Sequence, residues 1–306
     1  MTLREFKTRE ELQELLDRET EDERRELPDN NLLENAIKLA LGPEYTATEL
    51  QVFGYPRSNS QYLFFVEYSG LQPPLIHVRK PLTGHDLALL DESIPLILEQ
   101  TKHHISKHGK ILSVGDVIVC DVFHRHLSAF DGSRWNIIIN NECGLFYMTA
   151  TQREALMKEN TDAPSGFSFE PVDVDRDGDT IHTMWKYSIT PEITKTSLRV
   201  LPSICARNDR GEMVGWAMTQ RLGMISNLFL MPEYRGRGVG RDLELSHAKE
   251  FVRRELRVFK YVETCNTSVY GGSLRSPLWT LWTSDDEDNN ETKKPNPTYY
   301  RMFERV

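Results

Sequence analysis

Hydrophobic residues recur along the chain in two rhythms, one helical and one alternating. In residues 10–25, Leu12, Leu15 and Leu16 give a charge-rich helix one thin apolar stripe. In residues 31–41, Leu32, Leu33, Ala36, Ile37 and Ala40 recur at helical spacing, and Gly42-Pro43 supplies the stop. Residues 49–53, 62–68 and 75–78 then read as strands separated by Pro, Ser, Asn and Gly turn clusters. Residues 87–106 predict a long helix carrying Pro95, 114–122 a strand, 137–139 a further apolar piece and 152–158 a short helix. The polar stretch 159–166, with Pro164 and Gly166 at its end, marks a division into domains 1–160 and 166–306.

The second domain predicts helices over 179–186 and 190–200, then strands over 203–207, 213–219 and 224–231. A glycine-rich loop, a long helix over 239–256 and a strand over 261–265 follow. Segment 284–297 is acidic, amide-rich and then Lys/Pro-rich, which predicts a solvated, mobile loop. Residues 299–306 predict a last strand returning to the sheet. Such an alternation specifies a mixed α/β fold with a central sheet.

Composition narrows the partners. With 39% hydrophobic and 27% charged residues, the chain can form an ordinary globular core. No apolar run approaches the roughly 20 residues that cross a bilayer, and the N-terminus has no apolar signal core. The expectation is a cytoplasmic protein with no membrane partner. A net charge of −9 argues against a nucleic-acid surface. Four separated cysteines and an isolated His124-x-His126 near Cys120 lack a second ligand pair, so no metal is expected.

The specific chemistry lies in 224–256. A buried strand ends at Pro232. Arg235, Gly236, Arg237, Gly238, Val239, Gly240 and Arg241 then lead directly into an amphipathic helix. Glycines at a strand-to-helix turn let backbone N–H groups approach a ligand, and a helix N-terminus attracts an anion. Three arginines in this loop supply local cations that the acidic whole lacks. The loop thus reads as a pyrophosphate cradle. It lacks the Gly-Lys-Ser/Thr of a P-loop and the spacing of a dinucleotide fingerprint.

The run 235–240 resembles the Q/R-x-x-G-x-G/A signature of the GNAT N-acyltransferase superfamily, with Arg235, Gly238 and Gly240 at the signature positions. Gly211-x-x-Val214-x-Trp216, Pro232-Glu233-Tyr234-Arg235 and Ser246-His247-Ala248 are similar to the glycine N-acyltransferases and their relatives. Residues 32–81 look like that family's degenerate first domain. The resemblance implies a tandem arrangement: a GNAT acyl-CoA fold in the C-terminal half and a degenerate GNAT-like α/β domain before it. It further implies acyl-CoA or coenzyme A as cosubstrate at one site, and direct acyl transfer to glycine or another small amine. Leu228, Phe229 and Leu230 would then carry the backbone that holds pantetheine and polarises the thioester, and 235–241 the pyrophosphate.

The chain departs from the family at the proton acceptor. The glutamate of the glycine N-acyltransferases falls on Met224, which cannot act as a base. Glu263 on the next strand is the substitute candidate, although a solvent-facing glutamate is the plainer reading. Asn266 falls where many superfamily members place an asparagine. The expected thiolate acid falls on Ser273, leaving Tyr270 as the nearest tyrosine. Trp279 and Trp282 are candidates for an acyl or acceptor pocket, with core packing the commoner alternative. Two further readings stay open: a binding or regulatory protein that keeps the CoA pocket without turnover, and a protein N-acetyltransferase, which a capping N-terminal half disfavours.

Overall fold

The computed structural model describes residues 2–21, 28–42, 49–69, 71–81, 84–283 and 296–306. Strand Arg4–Phe6 (β1) precedes helices Arg9–Glu19 (α1) and Asn30–Leu41 (α2). A capping box fixes the start of α1, with Thr8 and Glu11 satisfying each other's backbone donors. Strands Glu49–Tyr55 (β2), Tyr62–Ser69 (β3) and Gln72–Arg79 (β4) follow as antiparallel neighbours, and helix Leu87–His108 (α3) leads to Lys110–Gly115 (β5). The expected run of the first helix to residue 25, and the loop expected over 284–297, lie mostly outside the described residues.

The predicted strand over 114–122 is a correction. β5 ends at Gly115, and Val117–Phe130 forms helix α4. The Asp116 carboxylate accepts from the Val119 N–H at 3.1 Å and starts the helix, so Val119, Cys120, Val122, Phe123 and Leu127 are buried on one helical face. A short β-branched run reads equally well as either element, and the cap decides. On a helix, His124 and His126 diverge. His124 stacks on Phe303, and His126 bonds Asp91 at 2.8 Å.

The chain continues through Trp135–Tyr147 (β6), Ala150–Lys158 (α5), Phe167–Pro171 (β7), Val174–Met184 (α6) and Pro191–Val200 (α7). Then come Ser203–Asn208 (β8), Met213–Gln220 (β9), Met224–Leu230 (β10) and Val239–Arg253 (α8). Phe259–Glu263 (β11), Thr267–Arg275 (α9), Thr280–Leu281 (β12) and Pro297–Arg305 (β13) complete it. Most predicted bounds shift by a few residues. β1, β7, α9 and β12 have too few patterned positions to announce themselves in the sequence.

Two sheets result. One runs β10-β9-β8-β7; the other runs β1-β2-β3-β4-β5-β13-β6-β11, with β12 also on β6. The C-terminal strand β13 lies between β5 and β6, within the sheet begun by the N-terminal half. The far end of β6, from Cys143 to Tyr147, pairs with β11 of the C-terminal half. The halves therefore exchange strands. Helix α2 also fastens them: buried Asn35 donates to Gly223 O and Arg257 O and accepts from Arg257 N, while Glu34 pairs with Arg257 at 2.6 Å.

Candidate active site

The edge strands β10 and β11 lie side by side yet end separate sheets, which leaves a notch between them. β10 is irregular there. Ser226 pairs with Met218 and Phe229 with Trp216, so two β10 residues, Asn227 and Leu228, oppose one on β9. Asn227 takes φ 44°, and its Nδ2 donates to Met218 Sδ at 3.5 Å. Such a bulge bends the strand and leaves backbone groups outside the ladder. Phe229 stacks on buried Trp216 at 4.6 Å, which anchors this edge.

Past Pro232–Tyr234, a single 3-10 turn, Arg235 Nε donates to Leu230 O at 2.8 Å and ties the loop to the end of β10. Gly236 and Gly238 take φ 76° and 82°, a region that a β-carbon disfavours. Gly238 is the N-cap of α8 and provides no side-chain cap hydrogen bond to its first N–H groups, and Asp242 is the acidic residue of the first turn. Val239 and Leu243 root that helix in the core. Arg237 lies over Tyr234, while Arg241 pairs with Asp242 and Glu159. An uncapped N-terminus, left-handed glycines and clustered arginines fit a pyrophosphate.

Beside the notch is a cavity of about 340 Å³, lined by residues of both halves. β10 contributes Met224, Ile225 and Ser226, and β11 contributes Tyr261 and Glu263. The far walls include Gln72 of β4, Asn141 of β6 and Met302 of β13, and the α6–α7 connection borders it with Lys186 and Tyr187. Glu263 is the carboxylate at this junction. It accepts from Tyr187 Oη, from Lys186 Nζ at 3.2 Å and from Asn141 Nδ2 at 3.4 Å. Burial opposes its charge, but the hydrogen bonds from Tyr187 and Lys186 outweigh it and hold the carboxyl below its ordinary value. Met224 is buried and accepts a hydrogen bond from Tyr300 Oη at 3.4 Å. Burial pushes the Cys143 thiol up to about 12, aided by the Glu263 charge.

Of the sequence-predicted residues, Glu263 lines the cavity and 228–230 and 235–241 border the notch. Asn266 instead caps α9, accepting from Val269 N at 3.4 Å. Tyr270, on α9, packs edge-on against Phe146 and touches the backbone at Gly144; burial raises its hydroxyl. Neither lines the cavity. Trp279 is buried in the core under Lys260, and Trp282 packs against the core that includes Leu33, Phe65 and Phe259. The sequence reading missed Lys186, Tyr187, Asn141 and Gln72, which come from segments remote from the glycine loop. Among the described residues no group of three potential ligands could hold a metal, and no helix is long and apolar enough to cross a membrane.

Residues 204–270 match the family model of FR47-like proteins. A search of curated protein sequences gives no match. Among solved structures, a Drosophila protein aligns with TM-score 0.75 at 17% identity, over 99% of this chain and 98% of that one. A GCN5-related N-acetyltransferase from Sphaerobacter thermophilus aligns with TM-score 0.50 at 11% identity, covering 84% and 80%. One from Kribbella flavida gives TM-score 0.50 at 9% identity, covering 90% and 93%. The mixed α/β architecture is the GNAT fold.

Proposed function

We propose that this GNAT-fold chain transfers an acyl group from acyl-CoA directly to the amine of a small molecule, glycine or another small amine. The observation that carries the reading is the open notch: a bulged β10, a β11 edge left unpaired to it and an uncapped α8 N-terminus meet beside a cavity. In this reading the glycine loop holds the pyrophosphate through backbone N–H groups and arginines. The irregular backbone at 228–230 holds the pantetheine and hydrogen-bonds the thioester oxygen as negative charge develops on it. The cavity walls hold the amine beside that carbonyl and keep water away, so the reaction proceeds as within one molecule.

Glu263 is ionised at neutral pH and draws the substrate's ammonium to the junction. The ammonium proton passes to Glu263 or, through Tyr187, to solvent, freeing the nitrogen lone pair for attack. Met224 takes no part in proton transfer, and it is the observation that favours a second reading, a CoA-binding protein without turnover. Melting the protein with CoA, acetyl-CoA, benzoyl-CoA and longer acyl-CoAs tests the pocket. At about 100 times its dissociation constant a ligand stabilises by roughly 2.7 kcal/mol, and the shift should vanish in Arg235→Glu/Arg237→Glu. No shift with any thioester would remove both readings. A shift with no thiol release across amines would leave the second.

A further inference from the structure

Glu263 is fully engaged by the fold before any substrate arrives. Its Oε1 accepts from Tyr187 Oη and from Asn141 Nδ2 at 3.4 Å. Its Oε2 accepts from Lys186 Nζ at 3.2 Å and from Cys265 Sγ at 3.5 Å. A carboxylate offers about four lone-pair positions, and these donors take two on each oxygen. Among the described residues Lys186 is the only cation paired with it. An acceptor whose ammonium is drawn to Glu263 therefore takes the place that Lys186 holds.

Lys186 is itself a primary amine. It lines the cavity together with Ile225 and Ser226 of β10, the strand that bulges at the notch, and among the described residues no other lysine does so. Its side chain is 66% exposed, so no core packing depends on it. It is nonetheless held in place: its ammonium lies 4.4 Å from the centre of the Tyr187 ring, and Tyr187 bonds the same carboxylate. Hydrogen bonds that it donates to Tyr187 and then to Glu263 raise its amine above the ordinary value, against the effect of burial. It thus meets Glu263 protonated, as a free acceptor would. Resting on the acyltransferase reading above, we infer that Lys186 is an internal acceptor, and that without a free amine the chain acylates its own Lys186 Nζ. Glu263 takes one proton from the ammonium, and the freed nitrogen attacks the thioester carbonyl. The C–N bond forms as the C–S bond breaks, and the second proton of the nitrogen goes to the departing CoA sulfur. The products are an acylated Lys186, free CoA thiol and one proton that Glu263 returns to solvent.

Intact mass and peptide mapping of the full chain test this after incubation with acetyl-CoA or benzoyl-CoA and no added amine. One acyl group per chain should appear on Lys186, at least about 100-fold faster than on any other lysine, because an amine held beside the thioester gains effective concentration. Glu263→Gln should slow labelling of Lys186 about 100-fold, the loss of a general base, and leave the other lysines unchanged. Lys186→Arg keeps the cation and should lose the label without moving it to another lysine. An amine that releases thiol should also suppress labelling at the concentrations that saturate its turnover, since both require Glu263. Lys186 labelled no faster than the other lysines, labelled equally in Glu263→Gln, or labelled undiminished beside a saturating amine would overturn the inference. Absent acyl-CoA stabilisation in the unsubstituted protein would overturn the acyltransferase reading with it. Stabilisation and thiol release with a free amine, but no label on Lys186, overturn the internal acceptor alone.

Discussion

The molecule contains the same strand–helix–strand unit twice, closed in one half and open in the other. In the N-terminal half β4 and β5 pair in parallel, Leu75 with Leu112, Ile76 with Ser113 and His77 with Val114, and no notch remains. The intervening α3 starts at Asp86, whose carboxylate accepts from Ala88 and Leu89 N–H at 3.1 Å each. In the C-terminal half β10 and β11 stay unpaired to each other, and α8 starts at Gly238 without a side-chain cap. A helix N-terminus attracts negative charge in both cases. In α3 the Asp86 side chain caps the first N–H groups, whereas α8 has no side-chain cap and carries only Asp242 as an acidic residue in its first turn.

Exchanging these features gives the largest expected effects. Gly238→Val puts a β-branched residue at φ 82° and should weaken acyl-CoA binding about 100-fold or more by calorimetry. An unchanged affinity would mean that the open unit owes nothing to its glycine cap. Next in size, Glu263→Gln should lower turnover about 100-fold while acyl-CoA affinity holds, the pattern of a lost proton acceptor rather than a lost fold. Equal losses in both would assign Glu263 to structure.

Each half also carries a buried histidine, His77 on β4 and His247 on α8, pushed by burial to about 4. Unfolded, each binds its proton near 6.5, so stability falls as pH drops from there toward 4. Asp29, raised to about 6 by burial, binds its proton earlier in the folded state and offsets one of the two between 6 and 3.8. Urea midpoints should therefore fall as pH drops below about 6, and more steeply below about 5, where carboxyls that the fold holds below their ordinary values, among them Glu34, Asp116 and Glu263, also take up protons on unfolding. The smallest effect belongs to the closed unit. Asp86→Ala should cost about 1 kcal/mol of stability by urea melt and leave acyl-CoA affinity unchanged.

The glycine loop is legible in the sequence because its parts are consecutive: β10, the loop and α8 follow one another, and each advertises itself through local pattern. Residues 114–122 mislead because Val117, Ile118 and Val119 satisfy strand and helix alike, and only the Asp116 cap chooses. The short elements β1, β7 and β12 depend on partners rather than on pattern.

The candidate site divides along the same line. Taken by itself, the sequence determined the mixed α/β class, the glycine- and arginine-rich turn between a strand and a helix, and the absence of a carboxylate at Met224, since these are properties of adjacent residues. Only the tertiary structure decided that β13 enters the other half's sheet, that β10 and β11 stand apart, and that Gln72, Asn141, Lys186 and Glu263 share one cavity. Those residues lie far apart along the chain. Their meeting depends on which strand edges pair, and that is set by the summed burial of whole sheets rather than by any local run of residues.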